Sequence, residues 1–191
     1  MKNKSVELLA PANKNTYTTA VQAGADAIYL GASDFGARQY ADNFSNEELK
    51  GVLDYCHLRG VRVHLTMNTL VSDRELEAFA KIAVVAVREG VDAFIVQDLG
   101  AADILRQIAP QVPLHASTQM TLHNLEGVRL AKQLGFSRVV LSRELCREEI
   151  AEICDQGGVE TEILLHGALC LGYSGQCFMS SLIGGRSGRC V

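Results

Sequence analysis

Short apolar runs alternate along the chain with longer stretches whose apolar positions recur at i, i+3 and i+4. The runs at 6–10, 27–31, 61–67, 93–97, 114–117, 139–142 and 162–166 predict strands. Between them, Leu49, Val52, Leu53, Cys56 and His57, and again Leu76, Phe79, Ala80, Ala83 and Val87, mark one face of a helix. Strands separated each by one helix need crossover connections, hence parallel pairing. The punctuation agrees: Gly24, Gly60, Gly90, Gly135 and Gly157 with Gly158 stand where a left-handed residue would end each preceding helix. Ser45, and Ser72 with Glu75 three positions on, are placed to cap helix starts.

Two α/β architectures suit this rhythm, an open doubly wound sheet and a closed barrel. An open sheet usually carries a Gly-rich phosphate turn after its first strand. Here that turn reads Ala10-Pro11-Ala12-Asn13-Lys14, without glycine. Even strand spacing, with polar residues at most strand exits, favours a TIM-like (β/α) barrel. Eight units need about 250 residues, and this chain has 191. The expectation is an incomplete barrel of seven β/α units over 1–166, with a Gly/Cys-rich loop at 167–191 over its mouth. The missing closing strand would leave exposed apolar surface that favours oligomers.

Composition narrows the function classes. Apolar residues make up 48% and charged residues 21%, with a net charge of −4, which suits one globular core and not a basic nucleic-acid module. Any RNA substrate would be gripped mostly by regions outside this chain. No signal-peptide h-region follows the N-terminal lysines and no apolar run reaches membrane length, so a cytoplasmic location is expected. Six cysteines in that compartment read as thiols or metal ligands rather than disulfides.

In barrels, chemistry gathers at the C-terminal ends of the strands. Reading along the chain, those positions hold Glu7, Tyr29, Thr66 with Asn68, Gln97 with Asp98, Ser117 with Gln119, Arg143 with Glu144, and His166. Asp98 and Ser117 are equally suited to capping the next helix. Asn68 and Gln119 are not at obvious cap positions. Glu7, set within a strand, calls for a cationic partner. The segment from His166 to Cys190 holds Cys170, Cys177 and Cys190 in the spacing Cys-x6-Cys-x12-Cys among glycines. Thiolates take soft metals and iron–sulfur clusters, yet this spacing is neither a zinc-ribbon nor a ferredoxin pattern, and three thiols are one short of a full set. Cys56, Cys146 and Cys154 show no ligand spacing and read as structural. Neither His-Glu-x-x-His nor Gly-x-Ser-x-Gly occurs. A Cys170–His166 nucleophile pair is the remaining protease arrangement.

Taken together, Glu7-Leu-Leu-Ala-Pro-Ala12, Phe35-Gly-Ala-Arg38, Leu114-His-Ala-Ser-Thr-Gln119, Ser142-Arg-Glu-Leu145 and His166-Gly-Ala-Leu-Cys170 with Tyr173-Ser-Gly-Gln-Cys177 resemble the peptidase U32 family. The likeness runs the length of the chain and is greatest to the branch that hydroxylates a cytidine of 23S ribosomal RNA. It implies RNA base hydroxylation (rRNA cytidine or tRNA uridine), with prephenate as co-substrate. It also implies a 4Fe–4S cluster on Cys170, Cys177 and Cys190, the family's fourth ligand lying outside these residues. The family name reflects collagenase-like peptidase activity, which stands as the alternative, and an inactive structural fragment is a third reading. One departure is the stretch Gly185-Arg-Ser-Gly188-Arg189-Cys190, a few residues shorter than the family pattern. His166, Asn68, Asp98, Gln119 and Glu144 are the catalytic candidates. Arg38, Arg143, Arg186 and Glu7 are the candidates to hold a small dicarboxylate, the arginines through bidentate bonds.

Overall fold

The computed structural model describes residues 6–32, 34–37, 43–167 and 172–177, so Arg38, Cys170, Arg186 and Cys190 lie outside the described residues. Strands β1 (Leu9–Pro11), β2 (Ala27–Gly31), β3 (Arg62–Met67), β4 (Ala93–Val96), β5 (Leu114–Ala116), β6 (Arg138–Val140) and β7 (Glu160–Glu162) form one parallel sheet in sequence order. Helices α1 (Tyr17–Gln22), α2 (Asn46–His57), α3 (Leu76–Glu89), α4 (Leu99–Ile108), α5 (Leu125–Gln133) and α6 (Arg147–Gln156) connect successive strands. Local chemistry sets their ends. Ser45 opens α2 with a capping box in which its N–H donates to Glu48 at 2.8 Å and its hydroxyl accepts from the Glu48 N–H at 3.3 Å. Gly90 ends α3 at φ 94°, a conformation that disfavours side chains. At the end of α6, Gly158 takes the positive φ and Gly157 does not.

The two faces of the sheet are chemically opposite. Along β3, Val63, Leu65 and Met67 are fully buried against the helix layer with Phe79, Ala83 and Ala86 of α3. Truncating a buried aromatic such as Phe79 would cost about 3–5 kcal/mol. The alternate positions, Arg62, His64 and Thr66, face the other way, into the bore of the curled sheet. His64 and His115 meet there edge to face, 4.8 Å apart, although they stand on β3 and β5. The strand between them is small at that level, with Ala93 paired to His64. Burial pushes His64 down to about 4, with the Arg138 charge adding to the effect. Burial, and then His64 itself, lower His115 to about 2.

Curling is demonstrated by one side chain. Arg138 opens β6 yet donates to Glu7, 131 positions earlier, at 2.7 Å. In a flat sheet the β1 and β6 ends would be five strand spacings apart, out of reach of any side chain. Arg138 also pairs with Glu160 at 2.9 Å and Glu162 at 3.4 Å, and Arg62 pairs with Glu7. Glu7 therefore corrects the sequence reading. It precedes β1 and lies with the first residues of β3, β6 and β7, on the rim opposite the strand exits. The expected cationic partner is present twice over. Burial raises the Glu7 carboxyl, but the Arg138 hydrogen bond and charge, with Arg62, outweigh it and hold the group below its ordinary range.

The last strand also differs from expectation. The apolar run predicted as strand 162–166 is not the strand: β7 spans Glu160–Glu162, and Ile163, Leu164 and Leu165 are exposed by 49%, 37% and 88%. The register is fixed by Arg138 holding both Glu160 and Glu162, so paired charge overrides the apolar signal. Cys56 is buried in the core with its thiol pushed up to about 11 by burial, inert as expected, whereas Cys146 and Cys154 are exposed. Among the described residues no helix is long and apolar enough to cross a membrane.

Candidate functional site at the strand exits

The strand-exit rim is assembled from short polar side chains that bond one another. Asn68, just past β3, accepts from the Ala37 N–H at 3.0 Å and donates to Ser117 Oγ at 3.2 Å, tying the exit of β2 to that of β5. Gln97 donates to the Gln119 carbonyl at 3.4 Å. Asp98 is a helix cap: it accepts from the Ala101 N–H at 3.0 Å and from the Val71 N–H at 3.3 Å. Ser117 likewise opens the short 3-10 turn Thr118–Met120 and is buried. Gln119 is half-buried, and its side-chain amide makes no hydrogen bond among the described residues.

A second cluster forms where β5 and β6 end. Thr121 adopts a left-handed φ of 57° and turns the chain so that His123 comes under the exit of β6. His123 Nδ1 lies 3.1 Å from the Thr121 carbonyl and 3.2 Å from Ser142 Oγ, and its Nε2 lies 3.3 Å from Glu144. Glu144 in turn accepts from the Ser174 N–H at 2.9 Å, and the Arg143 N–H donates to Ser174 Oγ at 3.2 Å. Burial raises the Glu144 carboxyl, but the Ser174 N–H and hydroxyl, with His123, more than reverse it, so the group sits below its ordinary range.

These bonds seat the segment 172–177 on the rim. Ser174 is 1% exposed. Gln176 donates to Thr121 Oγ1 at 2.8 Å and closes its own turn through the Tyr173 carbonyl at 3.0 Å. Gly175, at φ +81°, approaches so closely that a Cβ would lie 2.5 Å from Thr121 Oγ1 and 2.9 Å from the Gln119 backbone. Only glycine satisfies both the conformation and the contact. Cys177 follows directly, exposed and with a free thiol. Among the described residues no three His, Cys, Asp or Glu side chains converge as a metal site.

Of the sequence candidates, Asn68, Gln119, Glu144, Arg143 and Cys177 thus belong to one rim, Asp98 serves it as a helix cap, and Glu7 does not belong to it. His166 lies four residues beyond the end of β7, exposed and without a hydrogen bond or ion pair among the described residues. His123, Thr121, Ser142 and Ser174 were not among the candidates. His123 was discoverable by the criterion applied to His166, a histidine in the loop that follows a strand.

A curled parallel sheet of β/α units, with a thiol-bearing turn seated on its strand exits, defines a (β/α)-barrel protein whose candidate site is that rim. The chain belongs to Peptidase family U32, whose profile matches residues 12–191. It is 39% identical over 183 residues to the 23S rRNA 5-hydroxycytidine C2501 synthase of Escherichia coli (strain K12), covering 95% of this chain and 27% of that protein. It is 35% identical over 179 residues to tRNA hydroxylation protein P1 of Bacillus subtilis (strain 168), covering 93% of this chain and 42% of that one. The chain therefore spans less than half the length of either relative. The solved structure of the U32 peptidase Mk0906 shares the fold with a TM-score of 0.68 at 18% identity, over 85% of this chain and 70% of that one.

Proposed function

We propose that this chain is the barrel portion of an RNA base hydroxylation protein that acts on rRNA cytidine or tRNA uridine. The observation that carries the reading is the seating of the Cys177 turn against the Gln119 backbone and Thr121, which holds an exposed thiol on the rim that also carries the Gln119 amide. That amide makes no hydrogen bond among the described residues and suits bonding to a nucleobase. The described part of the donor set fits a thiolate ligand: Cys177 is free, exposed and carried on a tight turn. A 4Fe–4S cluster needs four thiolates, so Cys177 would share it with Cys170, Cys190 and a fourth donor. Bound there, the cluster would supply one-electron chemistry. Arg143, with Arg38 and Arg186, is the cationic set for a small dicarboxylate such as prephenate. The test is iron and sulfide content of the longer protein purified without air, with mass spectrometry of hydroxylated nucleoside in RNA from cells carrying Cys177→Ser. Loss of both iron and the modified nucleoside is expected. Unchanged nucleoside in the variant would overturn the reading.

The peptidase reading has one geometric point in its favour: Ser142, His123 and Glu144 line up as hydroxyl, imidazole and carboxylate. A nucleophile must reach a carbonyl carbon, and Ser142 is only 3% exposed. Its hydroxyl also shares His123 Nδ1 with the Thr121 carbonyl, which suits packing rather than proton abstraction.

A further inference from the structure

We propose that Glu144 and His123 are positioning residues that hold the cysteine-bearing turn on the strand-exit rim, so that the place of Cys177 is set by β5 and β6. The proposal deepens the reading of Cys177 as a ligand, on which it rests for its meaning but not for its test. The Ser174 N–H of the turn donates to one Glu144 oxygen at 2.9 Å, while the other faces His123 Nε2 at 3.3 Å. The imidazole is itself pinned on its far side by the Thr121 carbonyl and Ser142 Oγ. Glu144 therefore cannot rotate away without giving up both partners. The Arg143 N–H holds the Ser174 hydroxyl from the neighbouring position, and Tyr173 lies against the His123 ring at 6.2 Å.

The remaining contacts exclude slippage. Gln176 is bonded to Thr121, and Gly175 sits against the Gln119 backbone with no space for a methyl group. A turn of six described residues is thus gripped at Ser174, Gly175 and Gln176, directly before the thiol. Cluster ligands work when their supporting bonds fix the sulfur before the cofactor arrives. Here the support comes from a carboxylate bonded to Ser174 of the turn and an imidazole bonded to that carboxylate, so both act through the turn.

Hydrogen-exchange mass spectrometry on the full chain tests this. Glu144→Ala is expected to speed exchange of the 172–177 peptide about tenfold while β3 and β4 exchange as before. Glu144→Gln keeps an oxygen for the Ser174 N–H and is expected to restore most of the protection. His123→Ala is expected to loosen the same peptide to a smaller degree. In the longer protein purified without air, the visible iron–sulfur absorption should weaken in Glu144→Ala and return in Glu144→Gln. Unchanged exchange at 172–177 in Glu144→Ala, or a rise that glutamine does not reverse, would overturn the proposal. Should Glu144→Ala loosen β3 and β4 as well, His123→Ala decides by the same criterion. Loosening of the turn in a protein that never takes up iron would keep the positioning role and remove the cluster reading instead.

Discussion

The two rims of the barrel are both polar, and they differ in what their polar groups have left to give. At the strand-entry rim, Arg138 pairs with Glu7, Glu160 and Glu162, Arg62 pairs with Glu7, and Arg138 is 6% exposed. At the strand-exit rim, the bonds among the described residues reach the Gln119 backbone but stop short of its side-chain amide and of the Cys177 thiol. Convergence of polar side chains is therefore a poor marker of a site, because a saturated network is a structural device. The residual donors and acceptors at the edge of a network are the better marker.

The contrast can be broken most forcefully at Arg138. Arg138→Met would leave Glu7 and Glu162 as carboxylates without their main cation, at a cost of about 3–5 kcal/mol in urea unfolding. The same variant should leave alkylation of Cys177 unchanged, since the opposite rim is built independently. Next in size is the response to acid. His64 and His115 are held neutral by burial, with folded values of about 4 and about 2 against an ordinary 6.5. The unfolded chain takes up protons first, so their contribution is complete above pH 6.5 and declines as the pH falls. The slope is about 1.4 kcal/mol per pH unit for each histidine. Glu7, held below its ordinary 4.5, adds a loss in the same direction at lower pH. Glu162 opposes both: burial raises it, so its contribution is present in acid and lost as the pH rises past 4.5. Urea midpoints across this range should flatten by one histidine's slope in His64→Leu, and an unaltered slope would show that the bore does not carry the effect. The smallest effect sharpens the comparison at the exit rim. Gln119→Ala should change stability by less than about 0.5 kcal/mol while reducing hydroxylated nucleoside in the longer protein, because its amide holds no other group among the described residues.

Fold rhythm was legible because helix and strand periods survive in Leu49 to His57, Leu76 to Val87 and Ala93 to Val96, and caps such as Ser45 and Ser72 are local chemistry. Strand limits were less so. Val6 and Leu8 alternate with Glu7 as in a strand, yet both are exposed, and pairing begins only at Leu9. The apolar run at 163–165 misled in the same way, since the register of β7 is set by an arginine on another strand. At the site, Asn68, Gln119 and Glu144 could be read from their positions after strands. His123 could be read as a histidine in the loop after a strand, but not its return to the rim, because the 3-10 turn and the left-handed Thr121 make an excursion that periodicity does not encode.

The pairing of Glu7 with Arg138 also bears on the order of assembly. A contact spanning 131 positions is entropically expensive to close early. It becomes available only once the intervening strands have associated and brought the two ends together. The ion pair is thus a late lock rather than part of the folding nucleus. Changes at Arg138 should accordingly shorten the lifetime of the finished barrel while hardly slowing its formation.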